Sequence, residues 1–283
     1  MASKHRNNLT QSKVSRQPSV SSKCENGVSY TRRLFVMRHG ERCDFAFGKS
    51  WVKRCFDDSG HYTQKDLNLP KKMIQRDTVS DFLRDSPLTE IGMFQARATG
   101  DAFKDANVDI KHVFVSPSLR CVQTAQNVID GMDNNAELCV EPAAFEWLGW
   151  YKNGMPNLLT PDQLTNCGFN VNLLYKPYLE TKDYQLDETV SDYYDRCHQL
   201  TQHIFKSCEE GDVLIVAHAG SLDTFTRRLR GKNPRTSQEM HLILPSFTYC
   251  CLCCLAYSDK TNKWQFVDPP IPPLHEFDWK VML

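Results

Sequence analysis

Leu34-Phe35-Val36-Met37-Arg38-His39-Gly40-Glu41-Arg42 passes abruptly from an apolar run into a cluster of charged side chains. The run has no polar residue at either alternating position, so it suits a strand buried on both faces. Two later stretches repeat the design. His112-Val113-Phe114-Val115 leads into Ser116-Pro117-Ser118-Leu119-Arg120, and Val213-Leu214-Ile215-Val216-Ala217 leads into His218-Ala219-Gly220. Helical patterns lie between them. Thr89 is placed to cap a helix running through Met93, Phe94, Ala96, Ala102 and Phe103. Thr189 and Asp192 form a capping box that opens a helix with Val190, Tyr193, Tyr194, Cys197, Leu200, Ile204, Phe205 and Cys208 on one face, ending at Gly211. Strands alternating with helices predict an α/β three-layer sandwich: a mainly parallel central sheet with helices on both faces. A further strand is expected over residues 247–257, followed by a Pro-rich tail from Asp268.

Composition narrows what such a fold does. Residues 1–30 are rich in Ser, Asn, Lys and Gln and read as a disordered N-terminal tail; residues 31–283 read as one domain without internal repeats. Thirty-four basic residues balance thirty-four acidic ones, which argues against nucleic acid or an anionic membrane as the main partner. No stretch reaches the roughly 18 apolar residues of a spanning helix. The N-terminus lacks the apolar core of a secretory signal, so the twelve cysteines read as reduced thiols in a cytoplasmic protein.

In open α/β sheets, ligands bind at the carboxyl ends of the strands. The three apolar runs therefore deliver Arg38, His39, Arg42, Arg120 and His218 to one edge. Guanidinium forks and imidazoles converging there suit a tetrahedral dianion. Each residue alone has a blander reading: an Arg-His pair on the surface, a helix-surface arginine, a satisfied core histidine. At three strand ends in this order, those readings lose.

The arrangement resembles the histidine phosphatase superfamily, whose signature Arg-His-Gly after the first strand is matched by Arg38-His39-Gly40. The resemblance extends through Leu88-Thr89-x-x-Gly92-x-x-Gln95-Ala96, Ser116-Pro117-Ser118-Leu119-Arg120-x-x-x-Thr124-Ala125 and Ala217-His218-Ala219-Gly220, in family order. Phe47-Gly48-Lys49-x-Trp51, Cys55-Phe56-Asp57, Asn68-Leu69-Pro70, Phe145-Glu146-Trp147 and Trp264-Gln265-x-x-Asp268-Pro269-Pro270 are similar to a narrower branch. That branch comprises the phosphatases with ubiquitin-associated and Src-homology domains that suppress T-cell receptor signalling, together with the insect ecdysteroid-phosphate phosphatases. The short N-terminal tail leaves no room for those extra domains, so recruitment through them is not expected.

The resemblance implies a phosphatase that hydrolyses phosphate monoesters, phosphotyrosine or a small ester such as a steroid phosphate, through a phosphohistidine on His39. Arg38, Arg42, Arg120 and His218 would hold the phosphoryl oxygens, His218 also acting in catalysis, and Glu146 matches the acid-base position. Its flanking Phe145 and Trp147 are expected to raise the carboxyl's pKa by desolvation. No metal or cofactor is expected, because the arginines supply the positive charge. A homodimer is implied by the same branch. A phosphoglycerate-type mutase and a catalytically silent phosphate- or partner-binding module are the alternatives. The mutase is disfavoured because Arg42-Cys43-Asp44 replaces the Ser and later Trp-Asn of such enzymes.

Other signals are weaker. Gly48-Lys49-Ser50 lacks the upstream glycine of a phosphate-binding loop, Cys43 standing in its place. No cysteine has an arginine six positions later, as a cysteine phosphatase requires. Cys250, Cys251, Cys253 and Cys254 have zinc-like spacings but no second pair, and are read as small buried side chains of a strand.

Overall fold

The structure, a computed structural model of the chain, describes residues 23–25, 28–30, 32–208, 210–258 and 260–283. Of the tail expected over residues 1–30, residues 1–22 and 26–27 lie outside the described residues. Lys23–Glu25 (β1) and Val28–Tyr30 (β2) pair as a short antiparallel ribbon.

The expected buried strands are Arg32–Arg38 (β3), Ile110–Val115 (β4) and, after Leu138–Val140 (β5), Asp212–Ala217 (β6). Leu252–Ser258 (β7) and Lys263–Val267 (β8) complete a six-stranded sheet of order β5-β4-β6-β3-β7-β8. β6 pairs in parallel with both β3 and β4, and β4 with β5, while β7 and β8 run antiparallel. The three strands singled out in the sequence are thus the adjacent central ones.

Alternation along those strands explains why they read as uniformly apolar. Phe35, Met37, Leu214 and Val216 enter one core with Val113 and Val115; Leu34, Val36, Val213, Ile215 and Ala217 enter another with Phe114. Each face is covered by helices, so both alternating positions are removed from water. The short helices Cys43–Phe47 (α1) and Trp51–Cys55 (α2) follow β3. Next come Glu90–Asp105 (α3) and Leu119–Met132 (α4), which contribute Phe103 and Val122 to the first core. Pro161–Asn166 (α5) precedes Val190–Ser207 (α6) and Ser221–Arg227 (α7), which bring Tyr193, Tyr194, Leu200 and Phe225 to the second; Ser237–Ile243 (α8) adds Met240.

Both expected caps form. Thr89 accepts from Gly92 N, and Thr189 and Asp192 make the reciprocal capping box of α6. α6 stops at Ser207, short of Gly211, because the chain must reverse before β6; Gly211 takes a left-handed φ of 89° in that reversal. The strand expected over residues 247–257 begins only at Leu252. Before it, Cys250 turns left-handed (φ 54°) and donates its N–H to His39 O, so residues 247–251 bend over the carboxyl end of β3. β5 and β8 escaped the sequence pattern: one is three residues long, the other a partly exposed edge strand without a buried run. Cys250, Cys251, Cys253 and Cys254 are buried, and no group of three or more potential ligand side chains is clustered for a metal among the described residues. No helix among them is long and apolar enough to cross a membrane.

Candidate active site

Register brings the site together. Arg38 pairs with Ala217 and Val115 with Val216, so Arg38-His39, Ser116 and His218 leave neighbouring strands at the same level. His39 N donates to Ala217 O at 3.0 Å, extending the β3–β6 ladder one residue further. The chain then turns at Gly40, whose N–H donates to Thr124 Oγ1 at 3.0 Å. Glu41 is fixed through Gln95 Oε1, which accepts its N–H at 3.0 Å, and through Thr89 Oγ1 and Asn68 Nδ2, which donate to its carboxylate. A Cβ on Gly40 would sit 2.5 Å from Gly92 O, and one on Gly92 would sit 2.2 Å from Glu41 O. The Thr89-x-x-Gly92-x-x-Gln95 segment is therefore a brace for the His39 loop.

His39 is 3% exposed, and its Nδ1 lies 2.8 Å from Gly40 O. A carbonyl only accepts, so Nδ1 carries the hydrogen and Nε2 keeps its lone pair. Burial, together with Arg120 and Arg38, holds the ring's pKa well below the usual histidine value. The ring is neutral and oriented, the state in which an imidazole is nucleophilic.

His218 is held in the other tautomer. Arg120 Nη2 donates to its Nδ1 at 3.1 Å, leaving Nε2–H to Ser116 Oγ at 2.8 Å, with Ser118 Oγ at 3.3 Å. Burial first, and then the arginines, depress its pKa as well. The two rings meet edge to face, 5.7 Å between centroids.

The arginines are held in place before any anion arrives. The Arg42 fork grips Asp44 at 2.6 and 2.7 Å and lies 4.7 Å over the Phe45 ring. Arg38 lies 4.3 Å over Tyr249 and donates to Phe247 O. Arg120, 1% exposed in the first turn of α4, donates to Glu146 Oε1 at 2.6 Å. Arg38 Nε and Arg120 Nε are buried without a hydrogen-bond partner.

Glu146 sits in this cationic group, and there the expectation of a raised carboxyl fails. Burial does push it up, but Arg120 and Arg42, with the Tyr151 hydroxyl donating at 2.5 Å, outweigh that and hold it below the ordinary glutamate value. The flanking aromatics do not set its charge, because an arginine lies closer.

All of the anticipated residues Arg38, His39, Arg42, Arg120, Glu146 and His218 therefore come together. A cavity of about 520 Å³ opens onto His39, Arg38, Arg42, Glu146 and His218 and is rimmed by Phe45, Trp150, Leu244 and Pro245. Phe45 lies in α1, Trp150 shortly after Glu146, and Leu244 and Pro245 directly after α8. Asp44, Ser116, Ser118, Tyr151 and Tyr249 were missed, since each acts only through a spatial neighbour. A second cavity of about 460 Å³, walled by Pro117, Pro142, Tyr175 and Tyr184, contains none of these charged groups.

Comparison with known proteins agrees with this geometry. The family model of the histidine phosphatase superfamily (branch 1) matches residues 75–268. An ecdysteroid-phosphate phosphatase of Drosophila melanogaster is 37% identical over 261 residues, covering 89% of this chain and 34% of that protein. Ubiquitin-associated and SH3 domain-containing protein B of Mus musculus is 36% identical over 282 residues, covering 96% of this chain and 43% of that protein. The chain thus spans less than half the length of these curated relatives. The crystal structure of the ecdysone phosphate phosphatase of Bombyx mori in complex with tungstate superposes with a TM-score of 0.73 at 33% identity, covering 89% of this chain and all of that one. With its Arg-His-Gly turn at the end of a central strand and its fold shared with that enzyme, the chain belongs to the histidine phosphatase superfamily.

Proposed function

We propose that this chain is a phosphomonoesterase working through a phosphohistidine on His39. The observation that carries this reading is the Nδ1–Gly40 O hydrogen bond, which leaves Nε2 of a neutral ring facing a group of guanidinium donors. The phosphoryl group binds among Arg38, Arg42 and Arg120, with His218 beside them, and the guanidinium N–H groups meet the charge developing on its oxygens. His39 Nε2 attacks phosphorus, the P–O bond to the leaving group breaks, and the positive charge on the phosphorylated ring is balanced by Nδ1–H donating to Gly40 O. Arg120 is shared between Glu146 and the incoming anion. As it turns to the phosphoryl oxygens it loosens its grip on the carboxylate, which can then hold a proton for the leaving oxygen. The ionised Glu146 later takes a proton from the water that attacks phosphorus and frees His39.

The apolar rim of Phe45, Trp150, Leu244 and Pro245 suits an aryl or polycyclic leaving group, phosphotyrosine or a steroid phosphate. A phosphoglycerate-type mutase would need cationic groups at that rim for its acidic substrate. A silent binding module leaves the oriented neutral nucleophile without a use. The cysteines of the described residues form no disulfide, which supports a cytoplasmic protein, and a homodimer is part of the proposal through family resemblance. Trapping is the decisive experiment. Brief exposure to a ³²P-labelled aryl phosphate should leave an acid-labile, base-stable label on the wild type and none on His39→Ala. Label retained by His39→Ala would overturn the reading. A kinetic screen of phosphotyrosine peptides, steroid phosphates and sugar phosphates identifies the substrate class.

A further inference from the structure

The loop bearing Glu146 is held from behind by one buried ion pair. Arg196 of α6 grips Glu188 with Nε on Oε1 at 2.6 Å and Nη2 on Oε2 at 2.9 Å. Its remaining donors go to the loop: Nη1 to Ala143 O at 2.7 Å and Phe145 O at 2.9 Å, and Nη2 to Glu146 O at 3.2 Å. Glu188 holds the other side. Its Oε2 accepts Leu148 N at 2.9 Å, and its backbone carbonyl accepts Trp147 Nε1 at 2.8 Å. The pair therefore grasps the backbone at Phe145, Glu146 and Leu148 and the side chain of Trp147.

Such a pair is a poor device for stability alone. Arg196 is 9% and Glu188 7% exposed, and taking two charges out of water costs about what their attraction returns, so apolar residues of similar size would pack as well. Apolar residues could not meet three converging carbonyls and a backbone N–H. The hydrogen bonds specify one loop conformation, and that conformation aims the Glu146 carboxylate at Arg120 and His218.

We propose that Arg196 and Glu188 are positioning residues that set Glu146 for proton transfer to the leaving group; this rests on the acid-base reading of Glu146 given above. A positioning role separates substrates by their need for a proton. An alkyl phosphate leaves as a strongly basic alkoxide and requires one, whereas p-nitrophenyl phosphate leaves as a stabilised phenoxide and scarcely does. The experiment compares kcat/KM for both substrates, across pH, in wild type, Glu146→Gln, Arg196→Lys, Glu188→Gln and Trp147→Phe, with Tm measured for each. Arg196→Lys and Glu188→Gln should lower kcat/KM for the alkyl phosphate about tenfold or more while the aryl ester falls far less, with a changed pH profile. Trp147→Phe, which removes a single hydrogen bond, should show the same selectivity more weakly and carries the comparison if Arg196→Lys does not fold. Equal losses on both substrates in these variants, with Glu146→Gln still selective, would overturn the positioning role. Equal losses in Glu146→Gln itself would instead remove Glu146 from proton transfer, and this proposal with it.

Discussion

His39 and His218 are buried beside guanidinium groups, and both titrate well below an ordinary histidine. In the unfolded chain they take up protons near pH 6.5, while in the folded protein they stay neutral. The unfolded state thus binds more protons as pH falls, so the stability these rings permit is present above pH 6.5 and lost below it. The slope approaches about 1.4 kcal/mol per pH unit for each ring. Urea midpoints measured from pH 7.5 to 5.5 should fall accordingly, and the fall should be shallower in His39→Asn; an identical slope would show that the ring takes up its proton in the folded protein as readily as in the unfolded chain. Glu146 teaches a different point. The sequence marked it as a candidate and even marked its aromatic neighbours, yet its charge is governed by Arg120, twenty-six positions away. Tyr151 and Asp44 lie close in sequence to the groups they hold, yet nothing in their local pattern shows that a hydroxyl meets the Glu146 carboxylate or that a carboxylate grips Arg42.

At the level of elements, the site depends on how α3 and α4 brace the turn after β3. Gly92 lies where any Cβ would strike the Glu41 backbone at 2.2 Å. Gly92→Ala should therefore push the Arg-His-Gly turn outward, costing about 1–3 kcal/mol. Turnover should fall far more than stability explains, which activity at a temperature well below Tm would show. Thr124→Val leaves Gly40 N–H without its acceptor. Burying that donor unpaired should cost about 1–3 kcal/mol by denaturant melts. Caps and buried strands were readable because they depend on neighbours three or four residues away or on simple alternation. The end of α6 and the start of β7 were not, because a chain reversal and a turn over the site, each with a left-handed residue, replaced the regular pattern.

For the molecule as a whole, chemistry and selectivity come from different parts of the fold. The anion pocket belongs to the sheet; the rim belongs to Phe45 after β3, to Trp150 and to the Leu244-Pro245 turn after α8. Trp150→Ala should raise KM for a phosphotyrosine peptide or a steroid phosphate severalfold and leave KM for a small alkyl phosphate nearly unchanged. Parallel rises for all three would place Trp150 in the structure of the site instead of its selectivity. The sequence by itself determined the layered α/β fold, the central strands and the charged residues at their ends, because burial on both faces and the strand-to-loop switch are local patterns. Only the tertiary structure decided the tautomers of the two histidines, the charge of Glu146, the clamp of Arg196 and Glu188, and the apolar mouth. The His39 tautomer turns on the conformation that brings the neighbouring Gly40 carbonyl onto Nδ1; the others depend on distances between residues far apart in the chain, and the strength of a hydrogen bond or a charge interaction is set by distance and burial, which no local pattern encodes.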